Sequence, residues 1–440
     1  MNVQSTVPVH QAPRLPVRTL AIEVLDGPDA GTKAEANDEV LTIGTAPGNV
    51  LELTDPTVSG YHLELSRCDA GVCVTDLGST NGTQVGDVRI MQGRIQPGTT
   101  ITLGRTSLRV SEGAGSVVEF LEADELSDLR GRTPAMRRLM AQVVRVARTP
   151  VPVLLVGDSG TGKEVVAREL HRYSDRADKP FVTVDCGTLS ANLAASELFG
   201  HERGSFTGAE RQHLGAFERA NGGTLFLDEI GELSKELQPQ LLGALERRRF
   251  TRIGGRSEVS VDVRVICATN RDLRSDVNAG TFRMDLYYRI AIVLLRPPPL
   301  RDRADDIPLL ISHFLRECGY DGTIEAIVPP ERMNELKQYR WPGNVRELRN
   351  WVEATIAMGE SAELMGLGAL SQRNPGMTDA NQDILELPYQ QARSNVLQEF
   401  EGRYLKRLIE STNGNVTHAA KQARMDRSYL IKLLQRHGLR

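Results

Sequence analysis

Gly157-Asp158-Ser159-Gly160-Thr161-Gly162-Lys163-Glu164 follows directly on the apolar run Val153–Val156. Glycines at this spacing let backbone N–H groups converge on phosphate oxygens. A lysine there reaches the β and γ oxygens, and the helix that begins at it adds the positive end of its dipole. The stretch predicts nucleotide binding, with a plain glycine-rich turn as the alternative. Glu164 stands where Ser or Thr usually contacts Mg2+, so the metal must depend more on a second carboxylate and on the phosphates. Such a carboxylate is available, because Gly222–Leu227 reads as a turn and a buried strand that ends in Asp228-Glu229. At the carboxyl end of a parallel strand, Asp228 can hold Mg2+ and Glu229 can polarise the attacking water. The alternative, a pair that only caps the next helix, is discounted because the phosphate loop lies upstream at domain-like spacing. A third strand, Val261–Ala268, ends in Thr269-Asn270, which places Asn270 to sense the γ-phosphate. These groups predict an ATPase core with ATP and Mg2+ as cofactors. Arg283 and Arg289, in Phe282–Arg289, read either as solvated side chains or as catalytic fingers.

The elements that must position these groups alternate strand and helix to about Gly359, the rhythm of an α/β domain. Thr133-Pro134 opens the first helix, with Met136, Leu139, Met140 and Val143 at helical spacing. Ahead of it, Val17–Val110 has short β-rich runs separated by Gly, Asp, Asn and Pro. Thr19–Leu25, Val40–Ile43, Val50–Leu53, His62–Leu65, Val72–Thr75 and Thr100–Leu103 predict a β-sandwich.

Composition bounds the rest. The 440 residues carry 53 Lys and Arg against 57 Asp and Glu, a formal charge of −4, which excludes an overall basic coat for nucleic acid but not a local patch. With 40% hydrophobic and 25% charged residues, a mostly disordered chain is also excluded. No apolar run approaches the roughly 20 residues of a membrane helix. Met1–Leu15 lacks the charged start and apolar stretch of a secretory signal. A cytoplasmic protein with no membrane partner is therefore expected. Cys68, Cys73, Cys186, Cys267 and Cys318 are scattered and read as reduced, buried thiols rather than disulfides or zinc ligands.

Gly200-His201-Glu202-Arg203-Gly204-Ser205-Phe206-Thr207-Gly208-Ala209 resembles the GAFTGA signature of sigma-54-dependent transcriptional activators, bacterial enhancer-binding proteins of the AAA+ superfamily. Glu197-Leu198-Phe199-Gly200, Phe282–Arg289 and Trp341-Pro342-Gly343-Asn344-Val345-Arg346-Glu347-Leu348 match that family as well. The resemblance covers about Leu129–Met358. It implies a hexameric ring that hydrolyses ATP between subunits, with Arg283 and Arg289 as fingers on a neighbour's nucleotide and Arg346 as a lid sensor. It also implies that Gly204, Ser205, Phe206, Thr207, Gly208 and Ala209 contact sigma-54 RNA polymerase, Phe206-Thr207 forming the tip. Without the family, a buried turn phenylalanine is the simpler reading of Phe206. Gly254-Gly255-Arg256 is similar to the companion surface loop. Asp185 takes the place of the family's switch asparagine, and its carboxylate cannot donate the amide hydrogen bond to Glu229.

Gln391–Arg440 holds ten Lys and Arg against four Asp and Glu. Val416, Ala419, Ala420 and Ala423 predict a short helix. After Met425-Asp426 a second helix, Arg427–Arg436, turns Leu430, Leu433 and Leu434 inward. This resembles the Fis-type helix-turn-helix of these activators, with Arg424 where a turn glycine is usual. It implies that Arg427, Ser428, Tyr429, Lys432 and Arg436 bind double-stranded DNA at an upstream activating sequence. Leu397, Phe400, Tyr404 and Leu408 would form a dimer face; a plain helical hairpin is the alternative.

In the β-rich region, Val58-Ser59-Gly60-Tyr61-His62 and Ser79-Thr80-Asn81-Gly82 resemble the forkhead-associated (FHA) domain, a phosphothreonine reader. The resemblance implies that Ser59, Thr80 and Asn81 contact a phosphopeptide, while His62 braces the loops. Gly44-Thr45 replaces that family's Gly-Arg, and Gly60 stands where a basic residue often follows the serine. The input ligand is thus either a phosphothreonine protein or another protein contact. The expected order is a flexible leader over 1–16, an FHA-like β-sandwich over 17–113, a linker over 114–126 and an AAA+ α/β core over 127–300. A helical lid over 301–365, a linker over 366–388 and the helix-turn-helix over 389–440 complete it. Two rival functions use the same residues: an unfoldase or DNA motor, and a non-enzymatic DNA-binding regulator with a relict nucleotide site.

Overall fold

The computed structural model describes residues 14–17, 19–36, 40–68, 71–187, 191–206 and 209–358, with Leu405, Leu408, Thr412, Val416, Ala419, Met425, Leu430 and Leu434 beyond them. The chain divides into two compact units, residues 1–362 and 363–440.

The first unit begins with a β-sandwich. A five-stranded sheet built on Leu63–Cys68 and Gly71–Asp76 faces a six-stranded sheet built on Leu20–Asp26 and Thr106–Glu112. Alternation along each strand sends Leu20, Ile22, Val24, Leu63, Leu65, Val72, Val74, Leu108 and Val110 into one shared core. The boundaries differ from the expected ones. Arg14–Val17, assigned mostly to a flexible leader, is a strand paired antiparallel with Ser116–Glu119, which lies in the expected linker. The chain entering the sandwich is thus zipped to the chain leaving it.

The α/β core follows. Helix α1 (Pro134–Ala147) precedes five parallel strands: β1 (Val153–Val156), β2 (Phe181–Asp185), β3 (Thr224–Asp228), β4 (Arg264–Thr269) and β5 (Val293–Leu295). Their order across the sheet is β2-β3-β4-β1-β5. β3 and β4 are buried along almost their whole length, which explains their unbroken apolar runs. Between the strands run α2 (Lys163–Arg172), α3 (Ala191–Phe199), α4 (Gln238–Arg247), α5 (Leu273–Asn278) and α6 (Met284–Ile290). A lid of α7 (Ile307–Glu317), α8 (Pro330–Gln338) and α9 (Asn344–Met358) closes the unit.

In the second unit, Leu405, Leu408, Ala419, Leu430 and Leu434 form a buried cluster, with Val416 and Met425 packed on it. Leu408, read as part of a dimer face, packs inside this core instead. Leu397, Phe400 and Tyr404 lie outside the described residues. Two cysteines, Cys186 and Cys267, are buried as expected, but Cys68 and Cys73 are half-buried and Cys318 is exposed; all five are free thiols. Among the described residues, no helix is long and apolar enough to cross a membrane.

One buried cation ties the core together. Arg264, at the start of β4, is 2% exposed and donates to the carbonyls of Val146 and Ala147 at the end of α1 and of Leu170 in α2, at 2.7–3.3 Å. It adds donors at helix-end carbonyls, where the helix dipole favours positive charge, although Val146 is also reached by Thr149. Arg264→Met, which keeps much of the bulk but removes the buried donors, should lower the stability of the α/β core by about 3 kcal/mol. Urea denaturation followed by circular dichroism measures that loss.

Candidate nucleotide site

The carboxyl ends of β1, β3 and β4 converge on one cleft of about 370 Å³, lined by Ser159–Val165, Asp228, Glu229 and residues of the lid. The loop after β1 takes its shape from glycines at positive φ, +76° at Gly160 and +101° at Gly162. Gly160 has a second reason to lack a side chain, since an added Cβ would stand 2.3 Å from the Gly343 carbonyl oxygen of the lid. Lys163, 7% exposed, folds back to donate to the carbonyls of Gly157 (2.8 Å) and Asp158 (3.3 Å), with Glu229 Oε1 at 4.0 Å. Burial pulls its ammonium below the usual lysine range, while Glu229 and Asp228 oppose the shift.

Asp228 and Glu229 differ in setting. Burial pushes the Asp228 carboxyl above the usual range, against the Glu229 N–H that it accepts at 3.0 Å and the charge of Lys163; Asp185 and Glu164 push the same way as burial. Glu229 has φ +48°, a left-handed conformation uncommon outside Gly and Asn. That turn aims its carboxylate across the cleft, where Oε2 accepts the Asn270 N–H at 3.3 Å. The donor set fits a divalent cation, which would relieve an acidic group that burial makes costly to ionise. Among the described residues no cluster of three or more His, Cys, Asp or Glu side chains could hold a metal ion, so phosphate oxygens would supply most of its ligands. Asp185 sits in register with Asp228 across β2 and β3 and accepts the Gly187 N–H at 2.8 Å.

Not every expected residue enters the cleft. Ser159, Gly160, Thr161, Gly162, Lys163, Glu164, Asp228, Glu229 and Arg346 line it, but Gly157, Asp158 and Asn270 do not. Gly157 and Asp158 anchor Lys163 through their carbonyls, the Asp158 side chain pairs with Arg301 at 2.8 Å, and Asn270 holds Glu229 through its main chain. Glu164 is turned to Arg168 one helical turn on, at 2.7 Å, so it lies at the rim. Arg346 reaches Ser159 Oγ at 3.1 Å. Arg283 and Arg289 are also absent from the lining. Arg283 forms a two-point pair with Asp285, and Arg289 donates to the Leu245 carbonyl at 3.0 Å.

Two lid contacts were not legible in the sequence. Arg303, 2% exposed, donates to the Thr161 carbonyl at 3.0 Å and lines the cleft. Asn344, fully buried at φ +51°, donates to the Ser159 carbonyl at 2.9 Å and accepts the Leu300 N–H at 2.8 Å. Only its place in Trp341-Pro342-Gly343-Asn344, a turn that requires a residue tolerant of positive φ, could have flagged it.

The Gly200–Ala209 loop stands at the end of α3. His201 bridges to His213 and Ile253, and Arg252 joins Glu202 and Glu218 beneath it. Gly254 lies close enough to Ser205 that a Cβ there would approach Ser205 Cβ to 2.6 Å, so the companion loop packs directly on this one. Phe206 is 42% exposed, with an edge contact to His201 at 4.8 Å, so it is not a buried turn residue. Gly204 N–H donates to the Ala209 carbonyl. Thr207 and Gly208 lie outside the described residues, as do Arg427, Ser428, Tyr429, Lys432 and Arg436. In the sandwich, Ser59 Oγ accepts the Thr80 N–H at 3.0 Å, Asn81 donates to the Thr57 carbonyl at 2.7 Å, and buried His62 accepts from Ser59 N at 3.1 Å.

Residues 129–296 match the sigma-54 interaction domain family and 301–381 the AAA+ ATPase lid domain. Residues 23–114 match the cytoplasmic domain of the inner membrane component of T3SS. The DNA-binding transcriptional regulator NtrC of Azospirillum brasilense is 40% identical over 338 residues, 71% of this chain and 70% of that protein. The transcriptional regulatory protein ZraR of Escherichia coli is 44% identical over 310 residues, 70% and 68% of the two chains. The crystal structure of NtrX from Brucella abortus in complex with ATP superposes with a TM-score of 0.52 at 35% identity, covering 72% of this chain and 70% of that one.

Asn344→Ala removes the donor to Ser159 and strands the Leu300 N–H, so ATP binding should weaken by about ten- to a hundred-fold with the overall fold kept. Titration with a fluorescent ATP analogue, beside a circular dichroism spectrum, measures both.

Proposed function

We infer the function from one premise: the chain belongs to the sigma-54-dependent transcriptional activators of the AAA+ superfamily. It is an oligomeric ATPase that uses hydrolysis to remodel the closed complex of sigma-54 RNA polymerase. The observation that carries this reading is an exposed Phe206 on a braced loop, one helix away from the strand end that flanks Asp228. An unfoldase or DNA motor needs the same cleft but gives no reason for the match of residues 129–296 to a sigma-54 interaction domain.

In this reading ATP lies in the cleft with its phosphates on the Gly157–Lys163 loop. Asp228 and the phosphates would hold Mg2+, which would supply charge neutralisation during transfer. Glu229 orients the attacking water, and its link to the Asn270 main chain joins that event to the end of β4. Arg346 senses the bound phosphates from the lid. Arg283 and Arg289 are absent from the lining of their own cleft, as fingers that serve a neighbour in a hexameric ring must be. Movement at the Asp185 end of β2 passes through α3 to Gly204–Ala209, which pushes on sigma-54. The C-terminal unit binds upstream DNA through Arg427, Ser428, Tyr429, Lys432 and Arg436, the sandwich receives the input signal, and the protein works in the cytoplasm.

Arg283→Ala or Arg289→Ala should lower steady-state ATP turnover by about 10³-fold or more while ATP binding persists. A coupled phosphate-release assay beside nucleotide titration separates the two. Thr207→Ala should leave ATP turnover within about two-fold and abolish open-complex formation at a sigma-54 promoter. Retained promoter opening in that variant, scored by permanganate footprinting, removes the proposal and favours another ATPase.

A further inference from the structure

The apex of the sandwich, where an FHA reader would take its ligand, rests on the finger helix of the chain's own ATPase core. Asn278, the last residue of α5, donates Nδ2 to the carbonyls of Tyr61 and Leu77 and accepts the Tyr61 N–H at 3.3 Å. The Tyr61 ring, 3% exposed, stands edge-on to Tyr287 at 5.4 Å and lies 6.5 Å from Tyr288. Tyr288 donates its hydroxyl to the Pro47 carbonyl at 2.6 Å. Beside this cluster, Glu64 accepts Arg296 at two points, 2.8 and 3.1 Å, and Arg274 at 2.7 Å. Burial would raise its carboxyl, but Arg274 and Arg296 outweigh it and hold it below the usual range.

Two features of the apex suit this partner. Neither Thr45 nor Gly60 offers the positive charge that a doubly charged phosphate needs. Gly60 instead lies beside the core: a Cβ there would touch Ala46 Cβ at 3.5 Å and Asn278 Oδ1 at 3.7 Å, so a long basic side chain would have to run along the ATPase surface. Meanwhile Ser59, Thr80 and Asn81 are engaged within the sandwich, Ser59 Oγ accepting the Thr80 N–H and Asn81 donating to the Thr57 carbonyl. The covered helix matters because α6, which presents Tyr287 and Tyr288, is bracketed by Arg283 and Arg289.

We propose that the ligand of the sandwich apex is the α5–α6 surface of this same chain, and that the docked sandwich withholds the finger helix from the neighbouring subunit. The second half rests on the reading of Arg283 and Arg289 as fingers; the first half does not. Docking and ring closure then compete for one surface, so the apparent strength of assembly falls by the fraction of chains that are docked.

The test uses the full chain and reads each partner from the other side. Gly60→Arg should raise amide hydrogen exchange across residues 273–290, and Asn278→Ala should raise it across residues 57–62. Both variants should reach half-maximal ATPase activity at about ten-fold lower protein concentration than wild type. Should Gly60→Arg fail to fold, Asn278→Ala, which leaves the sandwich sequence intact, decides alone. Unchanged exchange across the partner domain overturns the docking. Raised exchange without any change in the concentration dependence overturns the withholding. Binding of a phosphothreonine peptide mixture, and not of its unphosphorylated counterpart, to the Asn278→Ala chain overturns the assignment of the ligand. Chains without ATPase activity at any concentration would count against the function proposed above, with the exchange result still readable.

Discussion

The phosphate loop and the lid are hydrogen-bonded into one piece, and the nucleotide cleft exists because of it. Asn344 and Val345 bond to the Ser159 and Gly160 carbonyls, Arg303 to that of Thr161, and Gly343 packs where a Cβ at Gly160 would otherwise stand. A bound nucleotide therefore meets donors from the α/β core and from the lid at once. Any rotation of the lid must redraw the loop that holds the phosphates. This gives a direct physical route from phosphate occupancy to lid position, since a packed contact of this kind is bistable rather than elastic.

The acidic side of the cleft carries the complementary constraint. Lys163 is held by carbonyls of its own loop and faces Glu229 at the limit of an ion pair, so the ammonium is positioned before any ligand arrives. Asp185 adds a third carboxylate to the neighbourhood of Asp228, where an asparagine would be neutral. The site is thus more dependent on added positive charge than it would be with asparagine at this position, and the Asp185 side chain is already engaged with Gly187.

Much of this was legible in the sequence because the signals were local. The strand-to-loop junction at Val156-Gly157, the buried run ending at Asp228, and the alternation along Leu63–Cys68 each follow from a few consecutive residues. What escaped were contacts between distant segments. Nothing local in Arg303 distinguishes it from the exposed Arg301 two residues away, because its burial depends on α1 and the phosphate loop. The strand at Arg14–Val17 was lost for a similar reason: its partner lies about a hundred residues on, in a stretch whose glycines read as linker. Leu408 misled in the opposite sense, since an apolar stripe on one helix does not say whether a second copy or the same unit will cover it. The apex of the sandwich was half-read. The missing basic residues at positions 45 and 60 were visible, but Asn278 and the tyrosines that meet Tyr61 and Pro47 belong to another domain.

The pairing of Arg14–Val17 with Ser116–Glu119 has a mechanical consequence. Arg14 lies opposite Glu119 and Val17 opposite Ser116, so tension applied ahead of Arg14 and resisted by the segment that leads into α1 pulls both strands from the same end. Their hydrogen bonds then open one after another, as a zipper does, rather than all together. Load reaches the sandwich only after this clasp has parted.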